Sequence, residues 1–292
     1  MLILVSDAFD DSLPGRLAKF GEVTDDKARV AEAEVVLIRS KTKVTKEYID
    51  NAPNLKLVIR GGVGLDNVDL VYAKDKGVAV HNTPAASSVA VAEMAMALML
   101  AAPCHLVKGH NGLAAGQWLK KSLKRTELFK KTLGILGMGR IATEVAKRAR
   151  AFEMDIVAHD PYVDSSEYAR MVSFEELLAQ ADFISMHMPL TDETKGLLNA
   201  DTLATCKDGV IIVNTGRGKT IDEKAMIRAM DDGKVAYYAT DVWPSDPPPE
   251  ECPLPKAQNV VMTPHTGAST KENLMRICDI IEEKIQAHVD AK

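Results

Sequence analysis

Three residues in the last third of the chain have side chains suited to moving a proton beside a carboxylate. They are Arg217 in "VNTGRG", Asp246 in "DVWPSDP" and His265 in "TPHTGAST". A guanidinium clamps a carboxylate bidentately and polarises a neighbouring carbonyl. Histidine is the usual acid or base near neutral pH. A carboxylate beside it favours the imidazolium and fixes the tautomer. All three stand at or just beyond apolar runs that read as strands, the edge where open α/β sheets bind ligands. Singly each has a plainer explanation, since a lone arginine is usually surface charge and a lone histidine usually structural. Of the seven histidines, only His265 combines a strand end, a preceding proline and a following glycine-bearing turn. His187, in "MHMPL", is the next candidate and reads as lining a cofactor or packing.

A second constellation lies upstream, in "LGILGMGRIATEVAKRARAFEMDIVAHD". Gly137, Gly139 and Ala142 form G-x-G-x-x-A directly after a strand-like run. The first glycine makes a tight turn, the second admits a pyrophosphate, and the third position needs a small residue for helix–strand packing. Ile141, Ala142, Val145, Ala146, Ala149 and Phe152 then share one helical face. The N-terminus of such a helix carries the partial positive charge that suits phosphate. The next strand ends in Asp160, 18 residues after Ala142. A carboxylate there accepts the adenosine-ribose hydroxyls and repels a 2′-phosphate, so the expected cofactor is NAD rather than NADP.

Between Arg217 and His265 runs "TDVWPSDPPPEECPLP", which also holds Asp241, Glu250 and Glu251. Proline cannot donate to a ladder or sit inside a helix, so this segment is a stiff loop. It presents Asp246, and Glu250 and Glu251 read as solvated.

The elements that must position these residues follow from pattern. Apolar runs at 2–6, 35–39, 55–60 and 78–82 form one series, interleaved with helical stretches such as "TKEYIDNA" and "DLVYAKDKG". Runs at 132–137, 155–160, 182–188, 210–216, 235–242 and 259–265 form a second. Strands alternating with helices imply an α/β fold with parallel sheets. The six later strands match a dinucleotide-binding domain. The closing run "STKENLMRICDIIEEKIQAHVD" carries Leu274, Ile277, Ile280, Ile281 and Ile285 at helical spacing. A single helix cannot stand alone, so it is expected to return to the first domain. The expected division is a discontinuous domain of residues 1–82 and 266–292 and a second domain of 83–265, with the site in the cleft between them.

Bulk properties narrow the classes. A chain of 292 residues, 46% hydrophobic, holds one to two domains with substantial cores. The formal charge of -5 does not suggest nucleic-acid binding. Cys104, Cys206, Cys252 and Cys278 are far apart and form no C-x-x-C pair, which reads as reduced thiols in a cytoplasmic protein without a metal site. The N-terminus turns acidic after five residues, unlike a signal peptide. The most apolar run, Val89 to Ala102, is interrupted by Glu93 and is shorter than the roughly 20 residues a bilayer span needs. It reads as a buried or interface helix, with Met94, Met96 and Met99 as packing.

With these residues in hand, the chain resembles the D-isomer-specific 2-hydroxyacid dehydrogenases, and within them most the D-3-phosphoglycerate dehydrogenases. The resemblance runs from about residue 35 to about 275 through "RSKTKVT", "RGGVGLDNVDL", "HNTPAASSVAVAE", "GQWLKKSLKRTEL", "KTLGILGMGRIA", "PLTDETKGLLN", "VNTGRG", "DVW" and "TPHTGAST". It implies two doubly wound parallel-sheet domains, a Rossmann NAD-binding domain and a discontinuous flavodoxin-like substrate domain, in a homodimer with the helix near Ser88 as a main contact. It implies that Arg217 holds the substrate carboxylate and 2-oxygen, His265 exchanges the hydroxyl proton and Asp246 pairs with His265. Aspartate stands where the family pattern has glutamate. Implied cofactor contacts are Thr83, Gly137, Gly139, Arg140, Ile141, Asp160, Met188, Thr215, Gly216, Arg217, Asp241, His265, Gly267 and Ala268, with Asp241 on the nicotinamide carboxamide.

Substrate choice rests on the first domain. Arg39 in "IRSKT" and Arg60 in "VIRGGVG" sit at strand ends. In phosphoglycerate dehydrogenases, matching arginines contact the substrate phosphate. The backbone of Gly61, Gly62, Val63 and Gly64 is implied to hold the carboxylate, and Lys120 aligns with a basic residue that reaches across the dimer. The expected reaction is oxidation of 3-phosphoglycerate to 3-phosphohydroxypyruvate in serine biosynthesis. A hydroxypyruvate or glyoxylate reductase is the enzymatic alternative. An NAD-sensing corepressor-like binding protein is the alternative of another class, and the three-residue constellation counts against it. The chain stops at Lys292, so serine feedback through an appended regulatory domain is not expected.

Overall fold

The computed structural model describes residues 1–291. They form two compact units, one of Met1–Ser88 with the segment from Ala268, the other Val89–Gly267. Lys292, the last residue of the expected discontinuous domain, lies outside the described residues. The junctions fall at 88/89 and 267/268, a few residues beyond the expected ones. Local bonding explains the shift. Thr83 N–H donates to the Gly62 carbonyl and Ala86 packs in the first unit's core, so residues 83–88 stay with their own sheet.

The first unit holds five parallel strands, β1 (Leu2–Val5), β2 (Glu22–Thr24), β3 (Val35–Ile38), β4 (Leu57–Arg60) and β5 (Ala79–Asn82), in the order β2-β1-β3-β4-β5. This is the flavodoxin-like order, and its direction reverses between β1 and β3. Every residue of β3 is buried, as a central parallel strand covered on both faces requires. β2 lay outside the expected runs, because a three-residue edge strand with one apolar residue carries no period to read. Helices α1 (Leu13–Leu17), α2 (Lys46–Asp50) and α3 (Leu70–Asp75) link the strands. Thr45 and Asp69 cap the latter two by accepting the Tyr48 and Tyr72 N–H groups. The C-terminal helix Lys271–Asp290 packs on this unit. It buries Ile277, Cys278, Ile281 and Ile285 against Leu13, Leu17 and the sheet. Each such aliphatic side chain contributes about 1.5–3 kcal/mol. Leu274 and Ile280 lie at the margin of this face, half-buried.

The second unit opens with α4 (Ser88–Ala101) and α5 (Leu106–Ala114). Ala92, Ala95 and Met99 of α4 are fully buried in its core. Among the described residues no single helix is long and apolar enough to cross a membrane. Then follow β6 (Thr132–Leu136), α6 (Arg140–Ala151), β7 (Asp155–His159), β8 (Arg170–Met171), α7 (Phe174–Gln180) and β9 (Phe183–Met186). The unit closes with α8 (Ala200–Thr205), β10 (Val210–Asn214), α9 (Glu223–Asp231), β11 (Val235–Thr240) and β12 (Val260–Met262). All seven strands are parallel, in the order β12-β11-β10-β9-β6-β7-β8. The first six in sequence give the Rossmann order, reversing between β6 and β9. The two-residue β8 adds a seventh strand to the six expected. Ala142, Val145, Ala146 and Ala149 form the buried face of α6, but Phe152 does not join them. The helix ends at Ala151, and Phe152 caps it at 42% exposure.

Candidate active site

In the second unit the expected residues gather at the C-terminal edge of the sheet. Gly137 follows β6 with φ +84, a conformation that needs glycine, and a Cβ there would lie 2.9 Å from the Met188 nitrogen. Gly139 caps α6, whose first residues are Arg140 and Ile141. A Cβ on Gly139 would meet nothing within 4 Å, so the space above the helix N-terminus is open. The first-turn N–H groups there have no carbonyl one turn back, which makes a ready phosphate cradle. Asp160, half-buried after β7, accepts the Met138 N–H at 2.8 Å and the Tyr162 N–H at 2.9 Å. Its carboxylate is thereby fixed beside the glycine turn. An open cradle with an oriented carboxylate suits a dinucleotide whose adenosine ribose carries free hydroxyls.

At the end of β9, His187 shares its Nε2 with the Ser185 hydroxyl at 2.8 Å and faces Thr215 Oγ1 through Nδ1 at 3.4 Å. Burial pushes its imidazole down to about 4, so the ring is neutral. His187, expected to line a cofactor or to pack, is held by these two side-chain bonds beside Thr215. Thr215 and Gly216 follow β10 beside it, and Met188 is buried.

Arg217 leaves β10 on a loop tied down by a buried polar knot. The Asn214 amide donates to the Arg217 carbonyl at 3.0 Å and to the Tyr238 hydroxyl at 3.1 Å, while the Thr220 hydroxyl donates to the same carbonyl at 2.6 Å. Asn214, Thr220 and Tyr238 are all fully buried. Arg217 is half-buried, and one arm of its guanidinium donates to the Gly216 carbonyl at 2.8 Å. Gly218, the next residue, packs so close to the following loop that a Cβ would lie 2.2 Å from the Trp243 carbonyl carbon.

The acids of the proline loop separate clearly. Asp241, at the end of β11, is 2% exposed. Its carboxylate accepts the Thr263 hydroxyl at 2.6 Å, the Thr266 N–H at 2.8 Å and the Gly267 N–H at 2.7 Å. All three donors belong to the loop that carries His265. That loop needs a brace, since His265 has φ +54, an uncommon conformation for a non-glycine residue. The Trp243 indole adds another tie by donating to the Thr263 carbonyl at 3.1 Å. Asp246 reaches the imidazole directly, with its Oδ2 bonded to His265 Nδ1. Aspartate is therefore long enough at this position. A carboxylate on Nδ1 keeps a proton there, leaving Nε2 as the nitrogen free to exchange one. Glu250 and Glu251 are exposed.

In the first unit, Arg39 and Arg60 leave adjacent strands, since Ile38 pairs with Arg60 across β3 and β4. The Arg39 guanidinium is half-buried, desolvation lowers its pKa, and its buried Nε has no hydrogen-bond partner. The Arg60 guanidinium lies against Gly62, where a Cβ would be 2.2 Å from Nη1. Gly61 N–H donates to the Ile38 carbonyl at 2.8 Å, and Gly62 N–H to the Thr83 hydroxyl at 2.8 Å. The Asn82 amide donates to the Val63 carbonyl, so the turn through Gly64 is held from both sides. Thr83 is fully buried in this role. Ala268 opens the segment leading to the C-terminal helix, and its carbonyl accepts from the Asn273 amide. Lys120, in the second unit, is exposed on the arm after α5.

Sequence reasoning missed the bracing residues Asn214, Thr220, Tyr238, Trp243 and Thr263. A polar residue closing an otherwise apolar strand, as in "VIIVN", is the one signal that pointed to them.

A family model described as "D-isomer specific 2-hydroxyacid dehydrogenase, NAD binding domain" matches residues 96–267. The chain is 47% identical to a hydroxypyruvate reductase of Thermotoga maritima over 259 residues, 88% of this chain and 85% of that one. It is 41% identical to a D-3-phosphoglycerate dehydrogenase of Methanocaldococcus jannaschii over 298 residues, 97% of this chain but 56% of that one. The chain thus spans little more than half of that dehydrogenase. The crystal structure of a D-lactate dehydrogenase from Aquifex aeolicus, complexed with NAD and lactic acid, superposes with a TM-score of 0.85 at 28% identity, covering 100% of this chain and 96% of that one.

Proposed function

We propose, from the premise that this chain belongs to the D-isomer specific 2-hydroxyacid dehydrogenases and is NAD-dependent, that it oxidises 3-phosphoglycerate to 3-phosphohydroxypyruvate. The observation that carries the substrate choice is the pair Arg39 and Arg60, at the ends of adjacent strands beside the Gly61–Gly64 turn. Arg39 in particular holds a buried Nε that nothing in the protein satisfies. A phosphate dianion is the natural partner for such a pair.

The Gly137–Ile141 turn and Asp160 would hold NAD, which would supply the hydride acceptor. Arg217 pairs with the substrate carboxylate and draws density from the 2-oxygen. His265 takes the hydroxyl proton at Nε2 as the C2 hydrogen departs with its electron pair, and the C–O bond becomes a carbonyl. Asp246 keeps the proton on Nδ1 and offsets the imidazolium charge. In reduction the same groups act in reverse.

Hydroxypyruvate reduction is the second reading, favoured by the 47% identity to the Thermotoga maritima enzyme over most of its length. A rate panel separates the two. It compares 3-phosphoglycerate, D-glycerate, D-lactate and 2-hydroxyglutarate, each with NAD and NADP. The expected outcome is the highest kcat/KM with 3-phosphoglycerate and NAD, by at least about tenfold over D-glycerate, the equivalent of one good charged contact. A preference for D-glycerate would end the phosphate reading and leave the family intact.

We assign the homodimer to the face formed by α5 and the arm after it. Leu106, Leu113 and Trp118 stand 58%, 60% and 77% exposed there, beside a cavity of about 430 Å³ lined in part by His105, Leu119 and Tyr237. Four cysteines without a disulfide suit the cytoplasm.

A further inference from the structure

The first sheet reverses its strand order between β1 and β3, the position where doubly wound sheets hold ligands. Asp7 stands just past the end of β1, and Arg39 follows β3 directly. The Asp7 side chain is only 3% exposed. Its Oδ2 accepts the backbone N–H of Arg39 at 2.7 Å and of Thr42 at 3.0 Å, and its Oδ1 accepts the Thr42 hydroxyl at 2.6 Å. On the other side of the same turn, the Asn67 amide donates to the Arg39 carbonyl at 2.8 Å and to the Thr42 carbonyl at 2.6 Å. Two side chains from distant segments thus take the N–H and C=O groups at both ends of the Arg39–Thr42 turn. No sheet ladder does so at this point.

The bonding is also selective. Asp7 spends its carboxylate on the Arg39 and Thr42 N–H groups and the Thr42 hydroxyl, with Lys27 Nζ 4.0 Å away, and the Arg39 Nε hydrogen-bonds nothing. The negative charge still acts through space. Burial lowers the Arg39 pKa, and the Asp7 charge opposes that shift. A half-buried arginine, charged at any accessible pH, thus has its Nε unspent and its backbone immobile. Those are the requirements of a preorganised anion contact.

We infer that Asp7 and Asn67 form a two-sided clip that positions Arg39 for a phosphorylated substrate. The inference rests on the phosphate reading of Arg39 and adds the residues that make it specific. Asp7 and Asn67 are positioning residues and touch no substrate. Their chemistry is not interchangeable, because Asp7 only accepts and the Asn67 amide here only donates.

The test measures kcat and KM for 3-phosphoglycerate and for D-glycerate in the intact chain and four variants, Arg39→Ala, Thr42→Val, Thr42→Ser and Asp7→Asn. Arg39→Ala should lower the ratio of phosphorylated to unphosphorylated kcat/KM by at least about thirtyfold. Thr42→Val removes one donor to Asp7 and should lower that ratio about five- to tenfold through KM, with Thr42→Ser restoring it. Asp7→Asn should do more, because an amide nitrogen would confront backbone N–H donors. Should Asp7→Asn not fold, Thr42→Val and its serine counterpart carry the test. If Arg39→Ala lowers the ratio and Thr42→Val leaves it unchanged, the clip is wrong and the phosphate reading stands. Equal losses on both substrates in Thr42→Val, with a lower Tm, also overturn the clip in favour of plain structural support. If Arg39→Ala leaves the ratio unchanged, the phosphate reading itself falls.

Discussion

Replacing Gly218 with alanine separates the positioning of Arg217 from its chemistry. The added Cβ would lie 2.2 Å from the Trp243 carbonyl carbon, 2.3 Å from its oxygen and 2.7 Å from the Pro244 nitrogen. Carbon atoms in contact rest at about 3.5–4.0 Å, so the overlap exceeds roughly 1 Å. The obstacle is backbone, with no side chain able to swing away. One loop must therefore retreat by about 1 Å, and that displacement alone costs on the order of 10²-fold in rate. The equivalent barrier increase is about 2.7 kcal/mol. Forcing a methyl into packed backbone costs a further ~1–3 kcal/mol of folding stability. In a unit of roughly 180 residues that lowers Tm by about 2–12 °C. Steady-state rates at saturating substrate, NADH affinity by fluorescence and a melting curve give the three readouts. The expected pattern is kcat down about 100-fold, a modest Tm loss and NADH affinity within about threefold. Lys219→Ala, one residue on and exposed, is the control and should stay within about twofold of the parent. A Gly218→Ala variant with parental kcat and parental Tm would refute the proposed locking of the Arg217 loop against Trp243.

Gly139→Ala should behave oppositely, because its Cβ meets nothing within 4 Å in the protein. Tm should stay unchanged while NADH binding weakens by about 30-fold or more, since the methyl fills space reserved for the pyrophosphate; unchanged NADH affinity would contradict the cradle. Asp160→Asn keeps an acceptor for the Met138 N–H but removes the charge that repels a 2′-phosphate. The kcat/KM ratio of NADP to NAD should rise at least about tenfold, and a constant ratio would show that specificity lies elsewhere. His187 sets a pH dependence of stability. Its pKa is about 4 in the folded protein and 6.5 ordinarily, so the unfolded chain binds a proton that the folded chain refuses. Stability should be flat above about pH 6.5 and fall as pH drops towards 4, by at most about 3 kcal/mol. Chemical denaturation across that range should show His187→Gln to be less pH-sensitive than the parent.

The parts of the fold that could be read ahead are those with strong local signals. Central parallel strands such as β3 and β10 are apolar at nearly every position because both faces are covered. β2 and β8 were invisible because edge strands of three and two residues present no pattern. Phe152 was misplaced because a helical period does not say where the helix stops. The reacting residues stood out by type, since arginine, histidine and aspartate at strand ends are few. Their braces did not. Asn214, Thr263 and Asp7 are ordinary polar residues at strand ends, and their roles depend on partners up to 35 residues away. Short-range pattern carries no record of such pairings.

Asp241 and Asp246 show how environment sorts one residue type into two roles. Asp241 accepts three hydrogen bonds from the His265 loop and is almost fully buried. A carboxylate so engaged acts by fixing geometry, and its charge-assisted bonds offset the strain of a histidine at positive φ. Asp246 keeps 41% of its side chain exposed and bonds only the imidazole among the groups around it described above. Solvent screens its charge, so its pull on an imidazolium is modest. What it controls is orientation and the site of the proton. Three consecutive prolines after Asp246 restrict the backbone that presents it, which limits how far the shorter aspartate arm must search for Nδ1. The loop therefore supplies in stiffness what the side chain lacks in length, while Asp241 holds the opposite partner still. Reach and rigidity are set by different acids, and only their combination leaves Nε2 of His265 in one place with one protonation role.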